Sequence, residues 1–359
     1  MTRNPTIDIL RALCIIFVVL GHCGFPWTTM LYSFHVPLFF VISGMTEKPF
    51  HVNDDISVKS HLLKKAKRLY VPFVIFSILE LLLHNTLIDL HIYASEATAP
   101  NAFNNLFLVS RYSYIEMGQR FLKAFIFAGG SQLGGTLWFF KVLFFCALIF
   151  KLECVLYKKF SKRLLILSLT NLVLYAVGWG FTKQGVAFPL GLETVLLVLI
   201  FYNFGFCIHN YHTRIEQTIS THKFTFSVIA LGLLFLLYRY QEVNIGNNVI
   251  TNPFLLLITA TLGFVFCYAL SDILAKTKIK NIMSFVGTNT VCVVLLHFLA
   301  FKLVNYFLIL YKGYDLLYLA AFPVLEEGLW PVYALVGITV PLLANFGYEK
   351  IRSKRIFTR

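Results

Sequence analysis

Residues 6–23, TIDILRALCIIFVVLGHC, form an apolar run of nearly membrane-spanning length that nonetheless carries Asp8, Arg11 and His22. A spanning helix needs about 20 mainly apolar residues. An ionisable side chain at bilayer depth costs at least a few kcal/mol and usually faces a polar cavity or a partner. Whether this stretch crosses a membrane, and which way its polar residues face, therefore decides the fold.

The rest of the chain answers the first question. Of its 359 residues 58% are hydrophobic and only 13% charged, with a mean hydropathy of +0.74; soluble domains carry about a quarter charged residues. A formal net charge of +14 could signal nucleic acid, but that partner calls for one basic face on a soluble scaffold. Here the cations fall in short clusters between apolar runs, and no nucleic-acid partner is expected. The seven cysteines are scattered without CxxC or metal-ligand spacing and read as small packing residues, with no metal site.

About ten segments meet or approach spanning length: 7–24, 30–46, 69–88, 133–155, 163–181, 189–208, 224–240, 252–274, 284–310 and 329–349. Cytoplasmic loops carry an excess of Lys and Arg. With the N-terminus inside, the clusters Lys64–Arg68, Lys158–Arg163, Lys276–Lys280 and Lys350–Arg355 all fall on the cytoplasmic side, and the opposite side holds isolated cations such as Arg120, Lys183 and Lys312. The pattern predicts an all-α polytopic membrane protein of about ten transmembrane helices with both termini cytoplasmic, as a single domain over 1–359. It has an external loop at about 89–132, a cytoplasmic tail at about 350–359 and no attached soluble domain. The first run lacks an A-x-A-like exit and is followed directly by another span, so it is read as retained rather than cleaved. In the long loop, residues 116–128 are expected to form an interfacial helix, with Gly129, Gly130, Gly134 and Gly135 as a flexible connection to the fourth span.

Eleven residues advance an α-helix roughly 16 Å and almost a whole number of turns, so Arg11 and His22 share a face. Asp8 is one turn from Arg11 and can pair with it. Two assignments fit. In one, Arg11 snorkels to the cytoplasmic headgroups with Asp8 as its partner and His22 sits at the far interface; in the other, the stripe lines a polar functional cavity. The second span, FHVPLFFVISG at 34–44, brings His35 to a depth like that of His22. Two histidines at one depth could exchange protons near neutral pH, and they lack the further ligands zinc would need. Then HLLKKAKRLYVPF, residues 61–73, leads into the third span. It reads either as a positive-inside anchor on anionic lipid or as a site where Lys65 and Arg68, one turn apart, hold a phosphorylated donor.

Together these stretches resemble the acyltransferase family 3 membrane proteins. The likeness rests on the D-x-L-R start with ten residues between arginine and histidine (Asp8, Leu10, Arg11, His22), on FHVPLFFVISG and on KRLYVPF, with weaker echoes in GGTLWFFKVLFF at 134–145 and FVGTNTVCVVLLH at 285–297. It runs end to end and is closest to the carbohydrate-modifying subgroup without an appended domain. It departs from the family where Trp138 is followed by Phe139, Phe140 and Lys141 instead of Ser-Leu and a glutamate, where Thr290 and Val294 replace Ser and Tyr before His297, and where Lys65 stands in place of an arginine.

The resemblance implies an enzyme, an O-acyltransferase of the plasma or inner membrane. It would move an acyl group, most often acetyl, from the co-substrate acyl-CoA to a hydroxyl of a cell-surface or lipid-linked carbohydrate, with no bound cofactor. His22 is then the general base, Arg11, Lys65 and Arg68 the acyl-CoA site, and His35 a residue that tunes the reacting centre. Asp8 would hold Arg11, Trp138 would offer an apolar platform to sugar or pantetheine, and His297 carries over from the late-helix pattern. The rival class is an exporter or flippase for a polysaccharide or lipid-linked glycan, in which the Arg11–His22 stripe lines a polar pathway.

Overall fold

The computed structural model describes residues 4–47, 58–95, 108–210 and 221–357. Their secondary structure is helical apart from one two-stranded antiparallel ribbon that pairs Val243 with Ile250 and Asn244 with Val249. In chain order the helices are α1 Pro5–Gly21, α2 Thr28–Tyr32, α3 His35–Met45, α4 Val58–Lys65, α5 Val71–Asp89, α6 Tyr114–Ala124, α7 Leu137–Leu156, α8 Arg163–Lys183, α9 Leu192–Asn210, α10 Lys223–Leu237, α11 Pro253–Leu274, α12 Lys280–Thr288, α13 Thr290–Lys312 and α14 Trp330–Phe357.

Among the described residues, eight helical stretches are long and apolar enough to cross a membrane. They are Thr28–Met45, Val58–Asp89, Arg163–Lys183, Pro189–His209, Lys223–Tyr240, Pro253–Leu274, Thr290–Lys312 and Glu327–Ile351. The other two expected segments are helices as well. At 17 residues α1 is short, and α7 carries Lys141, Lys151 and Glu153 within 20 residues.

Local sequence accounts for several helix ends. Asn252 caps α11 through Leu255 N–H at 3.0 Å, with Pro253 at the first helical position. Gly313 ends α13 in the left-handed conformation. Ser113 and Glu116 form a capping box on α6. The helix starts two residues before the expected 116 and ends at Ala124 instead of 128, with Ile115 and Leu122 on it exposed. Part of the segment expected as an external loop, 96–107, and the last two residues of the expected cytoplasmic tail, 358–359, lie outside the described residues; up to Phe357 the expected tail continues α14 as helix.

The chain divides into two compact units. The first comprises Met1–Cys14, Thr29–Pro72 and Trp138–Thr288; the second comprises Ile15–Thr28, Phe73–Leu137 and Asn289–Arg359. In the first unit α9 packs on both α3 and α8, α10 packs on α11, and α11 also meets α3. The α3–α9 contact is backbone on backbone: a Cβ added at Gly44 would lie 1.9 Å from the Tyr202 carbonyl oxygen, and one at Gly205 would lie 1.8 Å from that of Val41. Small residues at membrane helix crossings permit this approach, because packing replaces the hydrophobic drive that lipid removes. In the second unit α13 packs along α14, and the segment joining them folds back on α13 through the short helix Leu316–Ala320.

Candidate active site

In the first unit the start of α1 holds the carboxylate–guanidinium pair that its spacing predicts. Arg11 Nη1 donates to Asp8 Oδ1 at 3.1 Å, with Asp8 buried and Arg11 partly open. Helix α12 presses on this turn: a Cβ at Gly287 would lie 1.7 Å from the Asp8 carbonyl oxygen. The glycine of the late-helix pattern therefore fixes the backbone that carries Asp8.

Lys65 and Arg68 part company. Lys65 Nζ lies 2.6 Å from Glu47 Oε1 and donates to the Tyr202 hydroxyl at 2.9 Å, while that hydroxyl donates to the same Glu47 oxygen. His61 Nδ1 is 3.6 Å from the other Glu47 oxygen. Burial pushes the Glu47 carboxyl up, but Lys65, the Tyr202 hydroxyl and His61 outweigh it and hold the carboxyl below its ordinary range. Arg68 is exposed. Residues Ala66–Tyr70 form a π turn, whose i→i+5 bonds widen the helix. Pro72 has no N–H to give the carbonyl four residues back and clashes with a regular turn there. Lys65 is thus engaged by Glu47 and Tyr202, whereas Arg68 is open to the surroundings.

His35, at the start of α3, has its Nδ1 2.7 Å from the Leu31 carbonyl oxygen and its ring 5.1 Å from that of Tyr32. Trp138 packs its indole on the ribbon turn, where a Cβ at Gly246 would meet Trp138 ring atoms at 2.9 Å.

In the second unit, the histidine that His22 meets is His297. The chain tightens just past α1, where His22 N–H bonds to Val19 O at 3.1 Å. The His22 ring then sits 5.4 Å from that of His297 with 30° between planes, and 4.9 Å from Phe298, whose ring is 4.2 Å from His297. His297 is fully buried, and its Nδ1 lies 2.9 Å from Val293 O and 3.0 Å from Val294 O. A carbonyl only accepts, so the ring proton is on Nδ1 and the lone pair on Nε2. Among the described residues nothing hydrogen-bonds to that Nε2. Thr136 donates to Val294 O at 2.9 Å and fixes the same turn of α13 from the loop before α7.

The sequence reading passed over Glu47, Tyr202 and Phe298. It also passed over Glu80 in α5, whose carboxylate accepts from Tyr93, Ser131 Oγ, Ser131 N–H and Gly134 N–H at 2.6–3.0 Å and so fixes the glycine-rich stretch before α7. Only Glu47 carried a signal, as an acidic residue just past the C-terminal end of the second-span motif.

The site residues expected from sequence thus fall into separate arrangements: the Asp8–Arg11 pair and the Lys65–Glu47–Tyr202 cluster in the first unit, and the His22–His297 pair beside Phe298 in the second. Compared with known proteins, the chain matches no curated protein and no solved structure. The acyltransferase domain of acyltransferase family 3, in contrast, matches residues 4–346, nearly the whole chain. With the D-x-L-R start, the His22 position and all but the end of the last membrane-crossing stretch inside that match, the chain belongs to the acyltransferase 3 family and is a membrane acyltransferase.

Proposed function

We propose that this acyltransferase moves an acetyl group from cytosolic acetyl-CoA to a hydroxyl of a cell-surface or lipid-linked carbohydrate, with His22 as general base. The observation that carries the proposal is the contact of His22 with His297. A ring able to take a proton stands beside a second imidazole whose free Nε2 lone pair favours positive charge nearby, and Phe298 borders both rings. In the step, His22 takes the acceptor hydroxyl proton as the oxygen attacks the thioester carbonyl. The C–S bond breaks, and the CoA thiolate recovers the proton from the imidazolium.

The donor side is supplied by cations. CoA is anionic at its nucleotide end, and Arg grips phosphate with a fork of donors. Arg11 and the exposed Arg68 fit that task. Lys65 joins them by trading Glu47 for a phosphate, and Asp8 keeps Arg11 oriented. His35 and Trp138 lie in the first unit and have supporting roles toward donor or sugar. This assignment goes with ten spans, α1 and α7 included, and with both termini in the cytoplasm of a cell whose plasma or inner membrane houses the protein.

The test is acetyl-CoA turnover by the full chain in lipid nanodiscs, read as released CoA thiol and as acetylated glycan by mass spectrometry. His22→Ala is expected to lower transfer by about 10²–10⁴-fold, the usual contribution of a positioned base, at unchanged protein abundance. Near-normal turnover rejects the assignment.

A further inference from the structure

Lys302 stands halfway along α13, a membrane-crossing helix, and is 3% exposed. A lysine at that depth is costly and needs partners. Its Nζ donates to the carbonyl oxygens of Leu319 at 3.0 Å and Ala321 at 2.8 Å. One turn further along α13, Asn305 donates from Nδ2 to the same Ala321 oxygen at 3.2 Å. Asn305 Oδ1 accepts from the Tyr333 hydroxyl at 2.5 Å and from Leu325 N–H at 3.3 Å, and Leu325 N–H also lies 3.1 Å from Tyr333 Oη. Three polar side chains on α13 and α14 therefore hold the backbone of residues 319–325. Irregular backbone at membrane depth is tolerated only where its polar groups are satisfied inside the protein.

What this segment carries is Phe322. Its ring lies 4.7 Å from that of Phe298, and Phe298 in turn touches His22 at 4.9 Å and His297 at 4.2 Å between centroids. Lys302 Nζ itself sits 5.8 Å from the Phe322 ring. The amine and the histidine pair are thus joined by one continuous chain of contacts through two aromatic rings, all within the second unit.

We propose that Lys302, assisted by Asn305 and Tyr333, is a positioning residue for acyl transfer. It holds residues 319–325 so that Phe322 and Phe298 roof the His22–His297 pair and keep water from replacing the acceptor hydroxyl. The proposal rests on His22 acting as the base. Its chemical consequence concerns partition. If the roof opens, water attacks the thioester carbonyl, the C–S bond breaks, and free acid and CoA thiol leave together without acylated acceptor.

The experiment uses the full chain in nanodiscs and measures, for acetyl-CoA, the acylated acceptor formed per CoA released, together with CoA release in the absence of acceptor. Lys302→Met keeps the stem and removes the donor. Acylated product per CoA is expected to fall about tenfold to a hundredfold, the scale of loss that a misplacement of the order of 1 Å causes, while acceptor-independent CoA release rises. Tyr333→Phe, which removes one hydroxyl and no charge, is expected to shift the partition in the same direction by less, and Lys302→Arg, still able to donate to both carbonyls, to restore it. A purely structural role would lower protein yield and leave this ratio unchanged. A wild-type ratio in both Lys302→Met and Tyr333→Phe overturns the proposal, and if Lys302→Met does not fold, Tyr333→Phe alone decides. Full transfer by His22→Ala would instead remove the assignment of the base and leave the partition measurement to be read by itself.

Discussion

At the scale of single residues, charges buried near the membrane are distinguished by their partners. Glu47 has three: the Lys65 ammonium at 2.6 Å, the Tyr202 hydroxyl and His61. Its folded carboxyl lies below the ordinary range, so the cluster contributes stability that is complete above about pH 4, where an unfolded glutamate ionises. That contribution is lost as pH falls through the depressed folded value. Glu47→Gln is expected to lower thermal stability at neutral pH by about 3 kcal/mol, the lower end of what an uncompensated buried charge costs. It is also expected to flatten the acid limb of stability against pH. Thermal unfolding in detergent from pH 7 down to about pH 2 checks both, because the loss lies below the unfolded glutamate value, and an unchanged acid limb would show that Glu47 does not govern it. Asp8, Arg11 and His22 were legible in sequence because a helix makes their spacing a geometric statement. The Glu47 cluster was not, because its Tyr202 partner stands 155 residues away, and no periodicity within one segment reports on such a pair. The same holds for the contact of His22 with His297, which joins the first helix to a late one.

At the scale of elements, the apolar runs announced the helices, and the glycines decide how two of them meet. Gly44 and Gly205 let α3 and α9 touch through backbone, and both lie close in sequence to the residues that hold Lys65. Gly205→Ala places a methyl 1.8 Å from the Val41 carbonyl oxygen, and neither backbone can yield locally. The expected cost is about 3 kcal/mol, the upper part of the range for overpacking. Gly180→Ala on α8 has open space around its Cβ and is expected to be neutral or slightly stabilising, since alanine favours helix. Folded yield and unfolding temperature of the two variants in one detergent give the comparison; equal behaviour would mean that the α3–α9 approach carries no strain. Hydropathy marks both glycines only as apolar-run residues, so the sequence located the helices but not their contact. The π turn at Ala66–Tyr70 escaped for a related reason. A helical wheel assumes a constant angle per residue, and hydropathy registers the proline at 72 only as part of an apolar span, not as the cause of a wider turn before it.

At the scale of the whole molecule, ten spans and eight differ in what α1 and α7 do. Helix α1 has 17 residues, about 26 Å of rise, a little under the roughly 30 Å hydrocarbon core, and its charges sit at the end where Asp8 and Arg11 pair. Helix α7 is long enough, and its Glu153 accepts a hydrogen bond from Asn171 at 3.0 Å, so a charge that argues against lipid is met inside the protein. If both cross, the basic clusters alternate and the loops after α7 and α11 face the cytoplasm. If α7 fails to cross, every loop beyond it changes side. Single cysteines test this with little background, because five of the seven native cysteines are buried. Lys158→Cys and Lys278→Cys are expected to react with a membrane-impermeant maleimide only after permeabilisation, and Gly185→Cys and Gly313→Cys in intact cells. External labelling of Lys158→Cys with Gly185→Cys protected would invert the middle of the chain, remove α7 from the spans and return the positive clusters to mere lipid anchors.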